Sequence, residues 1–187
     1  MLSAMYARGD IDLRYADETS FSMTPNVPYG WLPKGKQRGI ASDPKRVLNV
    51  FALLNPGMEL SSFPTQGTIN AQYIINCIES FLATNDKLTV IVMDNAPWHK
   101  AKMIEDKIEH WQNQGLFIFY LPTYSPHLNL IEILWRKMKY EWLRPQDFIN
   151  PQALHDAIIN ILKNFGNEFS IKLSMKLKLL RQFRYAT

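Results

Sequence analysis

Strand-length apolar runs alternate along this chain with helix-length amphipathic stretches, and that alternation limits the fold more than any other feature. Val47 to Leu54 is an apolar, strand-like run closed by the turn Asn55-Pro56-Gly57. Asn70 to Leu82 places Tyr73, Ile74, Cys77, Ile78, Phe81 and Leu82 at helical spacing, with Asn70 as its cap. Leu88 to Met93 is short, β-branched and wholly apolar, which predicts a buried strand. Lys100 to Gln114 reads as a helix stopped by Gly115, and Leu116 to Leu121 as a second buried strand closed by Pro122. Leu130 to Arg144 carries the stripe Ile131, Leu134, Trp135, Met138 and Trp142 before Pro145 ends it. Pro151 to Phe165 predicts a further helix, and Ile171 to Phe183 a basic amphipathic one. Near the N-terminus, Arg14 to Ala16 leads into Asp17 as a strand end, and Gly30 to Gly39 has turn chemistry. This order predicts an α/β layer architecture around a mixed sheet.

Composition narrows the class. The 187 residues, 47% of them hydrophobic, suffice for one ordinary domain with a real core. The single cysteine, Cys77, excludes a disulfide framework and any multi-cysteine zinc site. No apolar run approaches the ~18 residues of a membrane span, and Met1 to Asp12 has no signal-peptide core. The expectation is a soluble cytoplasmic protein that does not enter a membrane. The net charge is only +4, but it is unevenly placed. Lys172, Lys176, Lys178, Arg181 and Arg184 crowd the last 17 residues with no acid, and Lys34, Lys36, Arg38, Lys45 and Arg46 surround Asp43. Clustered cations suit a polyanion, because neutralising phosphates releases counterions. A solvated basic tail and a basic turn explain the same residues.

Three acids fall where chemistry is placed in α/β proteins. Asp94 directly follows the run Leu88 to Met93, with Asn95 next and His99 five residues on. An Asx turn or a helix cap accounts for Asp94 equally simply. Asp17 and Glu18 stand at the expected end of the first strand, and the sequence leaves open which of them faces inward. Glu132 borders the apolar stripe beside Ile131, with Arg136 and Lys139 at i+4 and i+7. Asn129 with Glu132 is also a capping-box pattern, so Glu132 has a purely structural alternative. Three carboxylates from two strand ends and a helix start can converge on one or two divalent ions. Hard oxygen donors favour Mg²⁺ or Mn²⁺ over Zn²⁺. Two such ions about 3.5–4 Å apart can activate a water and stabilise the leaving oxygen of a phosphodiester.

The segment Asp94-Asn95-Ala96-Pro97-Trp98-His99, followed by Leu121-Pro122-Thr123-Tyr124-Ser125-Pro126-His127-Leu128-Asn129-Leu130-Ile131-Glu132-Ile133-Leu134-Trp135-Arg136-Lys137-Met138-Lys139, resembles the catalytic domain of DDE transposases. The likeness is to the bacterial insertion-sequence branch related to mariner-type elements. Asp17-Glu18 with Phe21, and Trp31-Leu32-Pro33-Lys34-Gly35, look like the first block of the same domain. The resemblance covers roughly residues 13 to 143. It implies an RNase H-like fold, a central mixed five-stranded sheet flanked by helices, with extra C-terminal helices. On that reading 1–187 is a single catalytic domain whose helical, basic extension spans about 151–187.

The resemblance also implies roles. Asp17 and Asp94 would be the catalytic aspartates and Glu132 the closing acid, with 37 residues between the last two. All three would hold Mg²⁺ or Mn²⁺, two ions in number. Asn95 would orient Asp94 or cap the next turn, and His99 would reach the scissile phosphate or order the loop. Lys34, Lys36, Arg136 and Lys139 are phosphate-contact candidates. Trp98 and Trp135 could stack on bases, although Trp135 lies on the apolar stripe and suits core packing better. The implied chemistry is hydrolysis at the ends of a mobile element, then attack of the freed 3′-hydroxyl on target DNA. The implied partners are transposon-end and target DNA and a second copy of the chain, in the bacterial cytoplasm at the nucleoid. Transposases of this type carry N-terminal helix-turn-helix modules, and only 16 residues precede Asp17. Either a separately encoded part supplies end recognition, or the chain is a remnant that binds DNA without cutting it. Another RNase H-like nuclease is the remaining alternative.

Overall fold

The sheet is built around one long central strand. A computed structural model describes residues 1–25, 34, 45–95, 102–122 and 125–171. After a short helix α1 (Leu2–Arg8), strand β1 (Asp12–Ser22) runs beside β2 (Arg46–Leu54) in antiparallel register, from Tyr15↔Leu54 to Ser22↔Arg46. β3 (Leu60–Thr65) turns back antiparallel on β2. On its other side β1 pairs in parallel with β4 (Thr89–Met93), which pairs in parallel with β5 (Leu116–Tyr120). The order β3-β2-β1-β4-β5 is the expected mixed five-stranded sheet, the RNase H-like arrangement.

Helices cover both faces. α2 (Ala71–Leu82) starts where the Asn70 side chain accepts the Tyr73 N–H at 2.9 Å, the cap its sequence predicts. Its buried face (Ile74, Ile75, Cys77, Ile78, Phe81) packs with Ile104 and Trp111 of α3 (Lys102–Asn113) against Ala16, Phe51, Leu53, Ile91 and Met93. The opposite face of the sheet (Leu13, Tyr15, Val50, Val90 and Val92) packs on α4 (Ile131–Lys137) and α5 (Pro151–Lys163). α4 widens into a π-helical turn, Met138–Trp142, before Leu143 becomes extended and Pro145 opens a 3₁₀ turn. Leu154, Ile158 and Ile161 of α5 share one core with β1 and β2, so this part of the C-terminal extension belongs to the same folded body. The predicted basic helix lies outside the described residues from position 172 onward, as does the Gly30–Gly39 turn apart from Lys34. No helix among the described residues is long and apolar enough to cross a membrane.

Two local expectations change, and two elements, β3 and α1, had no sequence signal. β1 does not end before Asp17. It continues to Ser22 because β2 goes on pairing with it after the parallel contact with β4 has stopped at Tyr15↔Val92. β5 is an edge strand, not a fully buried one, and Phe117 and Phe119 are 41% and 48% exposed. β3 has no apolar run to reveal it. It contains Pro64, which an edge strand tolerates because its outward N–H is not needed. α1 also lacks a distinguishing pattern, with no fully buried residue.

Candidate active site

Strand register decides where the first two acids stand. Tyr15 of β1 lies beside Val92 of β4; two residues further on come Asp17, still in β1, and Asp94, the first residue after β4. Side chains alternate faces, so Asp17 shares the face of Leu13 and Tyr15, the one covered by α4, while Glu18 takes the other parity. The question of which acid points toward α4 is thereby answered for Asp17.

α4 is fastened to this part of β1 at two points. The Trp135 indole Nε1–H donates to Asp17 Oδ2 at 3.1 Å. The Asn129 side-chain amide donates to the Ala16 carbonyl at 3.0 Å. Glu132 sits midway, three residues after Asn129 and three before Trp135. The capping box is not formed: Leu130 is the N-cap, the Glu132 N–H donates to the Asn129 backbone carbonyl at 3.2 Å, and no side chain caps the start of α4. Trp135 is only 3% exposed, so the indole packs in the core and is not available to stack on a base.

The charges respond to one another. Burial pushes the Asp17 carboxyl up to about 8. Glu18, Glu132 and Asp94 add repulsion, against a backbone hydrogen bond at Glu18 that favours the charged form. The Glu132 carboxyl is raised first by desolvation and then by Asp94, with Lys139 pulling it down. Glu132 is an exposed residue overall, so solvent screens it more than it does Asp17. The half-buried Lys139 ammonium is lowered by desolvation and held up by Glu132 and Asp17. It lies 5.6 Å from the Phe21 ring centroid, within cation–π reach. Asp17, Asp94, Glu132 and Lys139 thus form one electrostatic neighbourhood. Among the described residues, no three histidine, cysteine or carboxylate side chains form a ready-made metal cage.

The other candidates divide. Asn95 Oδ1 is buried and, among the described residues, has no hydrogen-bond partner. Lys34 and Arg136 are exposed. Lys36, Trp98 and His99 lie outside the described residues. Sequence reasoning missed the bonding roles of Trp135 and Asn129. Their symmetric spacing about Glu132 was the available signal.

Comparison with known proteins agrees with this architecture. The family profile of the DDE superfamily endonucleases matches residues 12–155. The "Insertion element IS630 uncharacterized 39 kDa protein" of Shigella sonnei is 24% identical over 147 residues, covering 77% of this chain and 38% of that protein. Among solved structures, the Mos1 mariner paired end complex with Mn superposes with a TM-score of 0.57 at 18% identity, over 87% of this chain and 52% of that one. The Mos1 strand transfer complex gives 0.52 at 16% identity, over 87% and 51%. The chain thus spans about two-fifths of its curated relative and half of these structures, and at such identities the structures speak for the fold alone. With the profile spanning most of its length, the chain belongs to the DDE superfamily endonuclease family.

Proposed function

We propose that this chain is the catalytic domain of a transposase, cutting DNA at the ends of a mobile element and joining them to target DNA. The observation that carries the reading is that Asp17 of β1 and Asp94, the residue directly after β4, lie just past the last parallel pair of these neighbouring strands, Tyr15↔Val92. α4 is tied over them and brings Glu132 into the same field of charge. The named relatives, an insertion-element protein and transposase complexes with DNA ends, support the substrate class.

The donor set suits a hard divalent cation. Three carboxylates supply only oxygen, and Asp17 is raised to about 8 because negative neighbours crowd it in a desolvated place. A bound cation would relieve that repulsion. Asp17, Asp94 and Glu132 would hold Mg²⁺ or Mn²⁺, two ions in this proposal. When bound, these supply charge to activate the attacking oxygen and stabilise the leaving one. In the first step a water oxygen attacks phosphorus and the P–O3′ bond breaks, leaving a 3′-hydroxyl. In the second, that hydroxyl attacks a target phosphodiester, forms the new P–O bond and displaces the target's 3′-oxygen. Both are in-line displacements, so one set of acids serves both.

Lys139 is proposed to meet phosphate beside the acids, and Lys34, Lys36 and Arg136 are proposed as outer phosphate contacts. Asn95 and His99 are proposed as supports of the Asp94 loop. The proposal treats 1–187 as one RNase H-like domain that works as a homodimer on two DNA ends. A helix-turn-helix part, separately encoded, would read the terminal repeats. The test is Mn²⁺-dependent nicking of supercoiled plasmid by the wild type beside Asp94→Asn and Glu132→Gln. Nicking by the wild type alone supports the reading. Salt-sensitive DNA binding with no nicking by any of the three would refute it in favour of a non-cutting remnant.

A further inference from the structure

A buried indole N–H is a donor with no acceptor function of its own, and it costs free energy if left unpaired. This protein nevertheless leaves one so: Trp111 is wholly buried between α3 and the sheet, and its Nε1 has no partner among the described residues. Core packing alone therefore does not oblige an indole here to seek a carboxylate. Trp135, nearly as buried, places its Nε1–H 3.1 Å from Asp17 Oδ2. The bond joins the helix that carries Glu132 to the strand that carries Asp17. Six residues earlier Asn129, itself only 3% exposed and just ahead of the same helix, donates to the Ala16 carbonyl. Glu132 is bracketed between the two ties.

We propose that Trp135 is a positioning residue for Asp17, its indole N–H engaging Oδ2, while Trp135 and Asn129 together set the spacing of Asp17 and Glu132. This rests on the metal-dependent reading above. A neutral donor on one carboxylate oxygen restricts rotation of the group without neutralising its charge, which is what a metal ligand needs from its supporting residue. Asp94 directly follows β4, whose last residue, Met93, pairs with Tyr120 of β5, so the sheet itself carries the chain to that position. The Glu18 backbone bond and the Trp135 N–H together restrain rotation of the Asp17 carboxylate, and the Trp135 and Asn129 bonds oppose sliding of α4 along β1.

The test measures metal binding apart from activity. Mn²⁺ binding is followed by the loss of the free-ion EPR signal for wild type, Trp135→Phe, and a variant with β-(3-benzothienyl)alanine at position 135. The last keeps the indole's shape and replaces the N–H by sulfur, so it stays informative if Trp135→Phe does not fold. Thermal midpoints are recorded alongside. Both variants should bind Mn²⁺ about 10-fold more weakly, the usual effect of losing a supporting hydrogen bond, and nicking should recover as Mn²⁺ is raised. Wild-type affinity in a folded variant, even one of lowered midpoint, would overturn the inference and leave the metal reading intact. Failure of the wild type itself to bind Mn²⁺ would overturn the metal reading, and the inference with it.

Discussion

Asp17 makes the protein less stable without metal than it would be with an amide in its place, and Asp17→Asn should show by how much. Unfolded, the carboxyl ionises near 3.8, and folded it does so near 8. Between those values the folded state keeps a proton that the unfolded state has released. Stability therefore falls as pH rises through this window and levels off above about 8. Roughly three pH units separate 3.8 from neutrality, each worth about 1.4 kcal/mol, so the cost reaches at most about 4 kcal/mol at pH 7. Asparagine removes the titration and retains an oxygen to accept the Trp135 N–H. In urea unfolding with EDTA, Asp17→Asn should match the wild type near pH 4 and exceed it increasingly up to pH 8. A gain of only 1 kcal/mol would raise the thermal midpoint by about 2–4 °C for a chain of this size. Saturating Mg²⁺ should narrow the gap by stabilising the wild type alone. A variant no more stable than the wild type at pH 7–8 without metal would refute the argument that burial and neighbouring charge strain this carboxylate.

Other positions give independent tests. Asn129→Ala leaves the buried Ala16 carbonyl without its partner and should cost about 1–3 kcal/mol in urea unfolding. Arg14 is 7% exposed, pairs with buried Asp12 at 2.6 Å and stands 5.2 Å from the Phe81 ring centroid. Arg14→Ala should cost about 3–5 kcal/mol by stranding the Asp12 charge, while Glu59→Gln, at the exposed end of the same cluster, should change stability by less than about 1 kcal/mol. Asn70→Ala should cost about 1 kcal/mol through loss of the α2 cap, with nicking unchanged because α2 lies on the far face of the sheet from α4.

What was legible in the sequence follows from how each element is stabilised. β2, β4 and α2 announce themselves because local pattern and burial agree: β4 is buried at every position and α2 has both its cap and its stripe. β3 and the second half of β1 do not, because pairing with β2 holds them while their own residues are largely polar or half-exposed. The acids were legible as a set only through the resemblance, since each has an ordinary local explanation. For Glu132 that explanation, the capping box, fails because the helix is capped at Leu130 with no side-chain bond, while the Asn129 amide donates to a strand 113 residues away that no local window contains. Trp135 is similar: its place on the apolar stripe predicts burial correctly, but the carboxylate it reaches is 118 residues distant in the chain. His99 and the basic segment from Lys172 onward lie outside the described residues.

The central claim is that Asp17, Asp94 and Glu132 form one divalent-metal site, and diffraction from Mn²⁺-soaked crystals at the manganese edge tests it most directly. The account predicts an anomalous peak bounded by the Asp17 and Asp94 carboxylates on the α4 face of the sheet, lost in Asp94→Asn. A peak elsewhere, or none between these strands at saturating Mn²⁺, would contradict it.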